Sequence, residues 1–125
     1  MHNPPSLPEP LDADALARLR ELDPTGANKL VERVIQAYLA SLERLVPEML
    51  AAREPLDFVP LRRVAHTLKS SSASLGALLL SDHCGRVESM ARDGLSAGIV
   101  AELDALLAEL ERVRAALTMM QSSTP

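Results

Sequence analysis

Aromatic side chains are nearly absent from this chain, whose 125 residues include one Tyr, one Phe and no Trp. That argues against a sheet core of aromatic and β-branched residues. Apolar residues still make up 47%, dominated by Leu and Ala, so an aliphatic helical core is expected. Cys84 is the single cysteine, which excludes an intramolecular disulfide and is compatible with a reducing cytoplasm. There is no charged-then-apolar leader, and no apolar run approaches the roughly 20 residues that cross a bilayer. A soluble cytoplasmic protein with no membrane partner is expected. Positive charge is not in excess either, since the formal net charge is -4, and this argues against a nucleic-acid partner.

What is present fits one all-α domain. Residues 1–10 hold four prolines, which remove backbone donors and favour an extended course, so they read as a flexible tail or linker. From Leu11, Asp12 or Asp14 can cap a short helix carrying Leu16, Leu19 and Leu22, which "DPTG" then breaks. A long helix is expected from about Ala27, with Val31, Val34, Tyr38, Leu42, Leu45 and Met49 along one face and a kink near residues 43–47 at Pro47. Asp57 and Pro60 then mark the start of a third. Ser81 can cap a fourth, with Cys84, Val87 and Ala91 inward and its end at Gly94. A last helix from about Ala97 turns Leu103, Leu106, Leu110, Val113, Leu117 and Met120 inward. Four substantial amphipathic helices with short connections predict an antiparallel four-helix bundle over residues 11–120, with a short additional N-terminal helix. Residues 121–125 are read as a flexible tail. Such a bundle can bury its own stripes, so a monomer is expected.

The third helix carries the chemistry, in the stretch "VAHTLKSSSASLGA" from Val64 to Ala77. Phe58, Leu61, Ala65, Leu68, Ser72, Leu75 and Leu79 follow the three-and-four spacing of a buried stripe. Arg62, His66, Lys69, Ser70 and Ala73 fall on another face, so His66 points outward at the head of a basic strip. Within eight residues Arg62, Arg63 and Lys69 occur without a carboxylate, and small side chains border the histidine. An anionic group could approach it closely.

Other chemistries find less support. His83 and Cys84 are adjacent but diverge by about 100° on a helix, and no second spaced pair completes a metal site. His2 lies in the Pro-rich head. The serines have no strand-turn-helix elbow or Gly-rich phosphate cradle around them, and Ser71 and Ser72 are expected to bond back to the preceding turn. Gly76, Gly85 and Gly98 read as close-packing or end positions.

The stretch "AHTLKSSSASLGA", with "CGRVE" and "ARDG" downstream, resembles the histidine-containing phosphotransfer (HPt) family of multistep two-component signalling. The matching residues are Ala65, His66, Leu68, Lys69, Ser71, Ser72, Leu75, Gly76 and Ala77, then Cys84 and Glu88. Ser70 stands where the family commonly has Gly, and Val87 where Leu is frequent; the first bears on how closely a partner can approach.

The resemblance implies a phosphocarrier rather than an enzyme. His66 would accept a phosphoryl group from a receiver-domain aspartyl phosphate and pass it to another receiver, the partners being a hybrid sensor kinase and a response regulator. It also implies Glu88 on the neighbouring helix, accepting from the far ring nitrogen, and Lys69 offsetting phosphoryl charge. Arg62, Arg63, Ser70 and Ala73 would belong to the docking face. No cofactor is expected on this chain, and Mg2+ is expected on the receiver. Imidazole, with an unperturbed pKa of about 6.5, is mostly unprotonated at neutral pH and can attack phosphorus without a base. A histidine substrate domain of a chemotaxis-type kinase and a helical scaffold are the alternatives.

Overall fold

The computed structural model describes residues 9–122, so most of the Pro-rich head, His2 included, and residues 123–125 lie outside the described residues. Five helices follow in order, α1 (Ala13–Glu21), α2 (Leu30–Ala51), α3 (Phe58–Ser74), α4 (Leu78–Arg92) and α5 (Ile99–Ser122), and among the described residues there is no strand.

Local chemistry sets most of the helix ends. Asp12 caps α1 by accepting from the Ala15 amide at 3.0 Å. Leu22, expected inward, falls just past the end of α1 and is exposed. The Asp23 carboxylate accepts from the amides of Asn28 and Leu30, at 3.2 and 3.1 Å. It thereby ties down the "DPTG" turn and satisfies an orphan donor at the start of α2. That helix begins at Leu30 rather than Ala27 because Lys29 is left-handed, with φ 51°. Pro47 does not stop α2, and Met49 beyond it is fully buried. Asp57 caps α3 through the Val59 amide at 3.3 Å, with Pro60 in the first turn where its missing donor costs nothing.

The turn between α3 and α4 is tighter than expected. The α3 stripe ends at Leu75, and Leu79 belongs to α4, where it is only half-buried while Leu80 takes the core position. Gly76 makes this turn with φ 82°, and a Cβ there would lie 2.9 Å from the Asp12 carbonyl oxygen. The Asp12 amide donates to the Gly76 carbonyl at 2.8 Å, which fastens the start of α1 to this turn. Ser81 is therefore not a cap. Ala77 holds that position, and the Ser81 hydroxyl donates to the Lys69 carbonyl at 2.9 Å, joining α4 to α3. At the C-terminus α5 continues through Gln121 and Ser122, two residues into the expected tail.

One apolar core is shared by α2, α3, α4 and α5, and Leu11 and Leu19 pack against it from α1 and its approach. Side-chain pairs join neighbouring helices, Arg63 to Glu48 between α3 and α2 and His83 to Glu102 between α4 and α5, and α4 runs back along α3, with Ser81 against Lys69 and Glu88 against His66. Buried within the core, Tyr38 and Ser72 share a 2.7 Å hydroxyl hydrogen bond. The Ser72 hydroxyl thus crosses to α2 rather than bonding to its own helix. Ser71 does bond back, donating to the Thr67 carbonyl at 3.2 Å.

Candidate functional site

The outward face of α3 carries Arg62, His66, Ser70 and Ala73 exposed, with Lys69 partly covered. Because α4 runs antiparallel beside it, Glu88 comes level with His66 and Lys69. Its carboxylate holds both. Glu88 Oε2 lies 2.7 Å from His66 Nδ1, and Oε1 accepts from Lys69 Nζ at 2.7 Å. The side chain of Glu88 is only 15% exposed, whereas that of His66 is 67% exposed.

This geometry decides the state of the imidazole. The hydrogen bond from Lys69 first, and the one from His66 after it, hold the Glu88 carboxyl below its ordinary range despite opposing burial. An ionised carboxylate only accepts, so His66 Nδ1 carries the proton and donates. In the neutral ring the lone pair then sits on Nε2, which has no hydrogen bond among the described residues. The site presents to solvent a ring nitrogen, Nε2, whose lone pair is free.

The basic strip is less basic than its sequence. Arg63 donates to Glu48 of α2 at 3.0 Å, and Lys69 is paired with Glu88. Carboxylates missing from the local sequence are supplied by the two flanking helices. Of the three cations on the strip, Arg62 alone lacks an ion pair among the described residues.

One residue was missed by sequence reasoning. Val59 is 76% exposed, and with Arg62, Arg63, His66, Thr67 and Glu88 it lines an open cleft of about 330 Å3. The signal was legible: Val59 precedes His66 by two helical turns, an apolar residue on an otherwise polar face.

Elsewhere the reactive side chains are quenched. Burial pushes the Cys84 thiol up to about 12, which removes it as a thiolate nucleophile at neutral pH. Tyr38 is raised to about 12, chiefly by burial. Among the described residues no group of three His, Cys, Asp or Glu could hold a metal ion, and no helix is long and apolar enough to cross a membrane.

The family model described as Hpt domain matches residues 33–116. Among solved structures, the chain is similar to the crystal structure of histidine-containing phosphotransfer protein B from Pseudomonas aeruginosa PAO1. The two are 26% identical with a TM-score of 0.82, over 96% of this chain and 100% of that one. No curated protein matches the sequence.

Proposed function

The chain belongs to the Hpt domain family, the histidine phosphotransfer modules of phosphorelays, and from that premise we propose that His66 is its phosphoacceptor. The observation that carries this reading is the 2.7 Å hydrogen bond between Nδ1 of an exposed histidine and a sheltered carboxylate.

In this reading Nε2 attacks the phosphorus of a receiver aspartyl phosphate. The N–P bond forms as the P–O bond to the aspartate breaks, and the carboxylate leaves with the electron pair. Nδ1 keeps its proton throughout. The ring gains positive charge as Nε2 is substituted, and Glu88 stabilises that charge through its hydrogen bond. Lys69 offsets charge on the phosphoryl oxygens by turning its ammonium from Glu88 towards them. The same steps in reverse deliver the group to a second receiver, so the chain acts as a phosphocarrier between a hybrid sensor kinase and a response regulator. The Mg2+ and the acids that bind it belong to the receiver, and this chain uses no cofactor of its own.

Helices α2 to α5 form the antiparallel four-helix bundle of this reading, with α1 as a short addition, and a monomeric cytoplasmic protein suits a core that buries its own stripes. Arg62, Ser70 and Ala73 form the exposed docking face, with Arg63 beside them held on Glu48.

The test is incubation with a phosphorylated receiver. The parent protein takes up label in a linkage labile to acid and stable to base, and His66→Gln takes up none. Undiminished label on that variant would end this reading.

A further inference from the structure

One carboxylate at the site serves two cationic partners. Glu88 Oε1 accepts from Lys69 Nζ and Oε2 lies beside His66 Nδ1, each at 2.7 Å, so the two oxygens have separate partners. While the ring is neutral it needs only a hydrogen bond, and Lys69 balances the carboxylate's charge. Glu88 is also the one carboxylate on the cleft beside His66, whose other charged lining is Arg62 and Arg63. Arg63 is held on Glu48 of α2, and Arg92 of α4, one turn beyond Glu88, is paired with Asp93. Among these groups of α3 and α4, only Glu88 favours positive charge on the ring.

A phosphoryl group on Nε2 changes what the ring needs. With the proton kept on Nδ1 the substituted ring is an imidazolium, and its P–N bond breaks with the electron pair returning to Nε2 and a neutral imidazole leaving. Without that proton the leaving group would be an imidazolate anion, so the bond lasts far longer. We propose that the Glu88 carboxylate keeps the phosphorylated ring protonated, making His66 a fast donor that holds its phosphoryl group only briefly. The inference rests on the phosphotransfer reading and adds how long the group is carried. Its basis is a charge exchange. As Lys69 turns towards the phosphoryl oxygens, the carboxylate gives up the ammonium and gains the imidazolium as its counter-ion. Glu88 is sheltered, which strengthens that attraction. An amide in the same place would accept the hydrogen bond without supplying the charge.

The experiment times the hydrolysis of phosphohistidine with no receiver present. Phosphoramidate, a small donor that passes its phosphoryl group to imidazole and releases ammonia, labels the parent, Glu88→Gln and Lys69→Met. The phosphorus NMR resonance missing from His66→Gln marks the site. Hydrolysis, in which water takes the phosphoryl group as inorganic phosphate, is followed from about pH 5 to about pH 9. In acid all three rings are protonated and decay alike. As pH rises the parent's rate holds, then falls where Nδ1 loses its proton. In Glu88→Gln that fall comes about one to three pH units lower, the shift expected of a neighbouring opposite charge, so the label lasts at least about tenfold longer between the two falls. Lys69→Met leaves the carboxylate to the ring alone and moves the fall upward. General loosening of the site would move both variants the same way. Coincident pH profiles for the parent and Glu88→Gln, or a downward shift in Lys69→Met, overturn the inference. If His66 takes label from phosphoramidate but none from a phosphorylated receiver, the phosphotransfer reading fails while the pH profiles still decide this inference; with no label from either donor, both fail.

Discussion

Helix α4 touches two histidines, and they make an instructive pair. His66 of α3 reaches Glu88, and His83 of α4 itself reaches Glu102 of α5, so each imidazole has Nδ1 beside a sheltered carboxylate that also holds a cation. The difference lies in what else meets the ring. Nδ1 of His66 faces only the carboxylate, which fixes the tautomer. Nδ1 of His83 lies 3.1 Å from a Glu102 oxygen and 2.9 Å from Arg86 Nη2, so one nitrogen meets an acceptor and a donor together and neither tautomer satisfies both. The His83 side chain is also only 15% exposed, against 67% for His66. A histidine–glutamate pair is thus not by itself a reactive site. Reactivity needs the second nitrogen open and its lone pair assured.

The sharpest way to break this comparison is to remove the two carboxylates in turn. Glu88→Ala releases the tautomer of His66 and the charge support of the substituted ring. The loss of one hydrogen bond to a charged group, about 1.5–3 kcal/mol, slows transfer by about ten- to a hundredfold. Glu102→Ala removes a joint between α4 and α5 and lowers the thermal midpoint with transfer unchanged. Ring-nitrogen shifts by NMR supply the check: Glu88→Ala mixes the tautomers of His66, and Glu102→Ala leaves them alone. Equal transfer defects in both variants would mean that Glu88 acts only through the fold.

Lys69 gives the next effect. Its ammonium is held by Glu88, so in the proposed transfer a positive charge stands beside His66 before a partner arrives. Lys69→Ala lowers the single-turnover rate at saturating receiver by about tenfold, the scale of one charge-assisted contact. A change confined to the half-saturating concentration would make Lys69 a docking residue instead.

That linkage shows what the sequence could and could not display. The three-and-four spacing made the outward position of His66 and the inward positions of Leu61, Leu68, Cys84 and Leu110 legible, because a helix face depends only on local periodicity. Pairings between helices have no such signal. Neither the joint hold of Glu88 on His66 and Lys69, nor the neutralising of Arg63 by Glu48, follows from spacing within one helix. Ser72 shows the same limit, since its partner Tyr38 lies 34 residues away. The apolar beat predicts that α3 runs on through Leu79, whereas the left-handed Gly76, with φ 82°, ends the helix and the Ala77 amide closes it on the Ser72 carbonyl.

Acid acts on the two pairs alike, and through stability rather than rate. Both carboxyls lie below their ordinary value of 4.5: Glu88 by the Lys69 and His66 hydrogen bonds, and Glu102 because the bonds from Arg86 and His83 outweigh a burial that pushes it up. A depressed carboxyl binds its proton more readily in the unfolded chain, so each pair's contribution is present above about 4.5 and is lost as pH falls through the lowered folded value. The thermal midpoint therefore falls on acidification below that point. The fall is shallower in Glu88→Gln and in Glu102→Gln, and a slope equal to the parent's in either variant would show that its carboxyl is not depressed.

The smallest effect belongs to the arginines, and the contrast between them is the informative part. Arg62 is exposed and lacks an ion pair among the described residues, whereas Arg63 is held on Glu48 at 3.0 Å. An unpaired surface cation contributes its full long-range field to the encounter with an acidic receiver, while a paired one is largely cancelled beyond a Debye length of about 8 Å. Arg62→Ala should raise the half-saturating receiver concentration by about two- to fivefold at low salt, the scale of an exposed charge pair, and by less as salt is added. Arg63→Ala leaves Glu48 uncompensated close to the docking face, so it also weakens docking and does so with its own salt dependence. Removing both Arg63 and Glu48 separates the two terms. That double variant should dock like the parent, and if it instead docks as weakly as Arg62→Ala, Arg63 meets the receiver directly and the ion pair does not silence it.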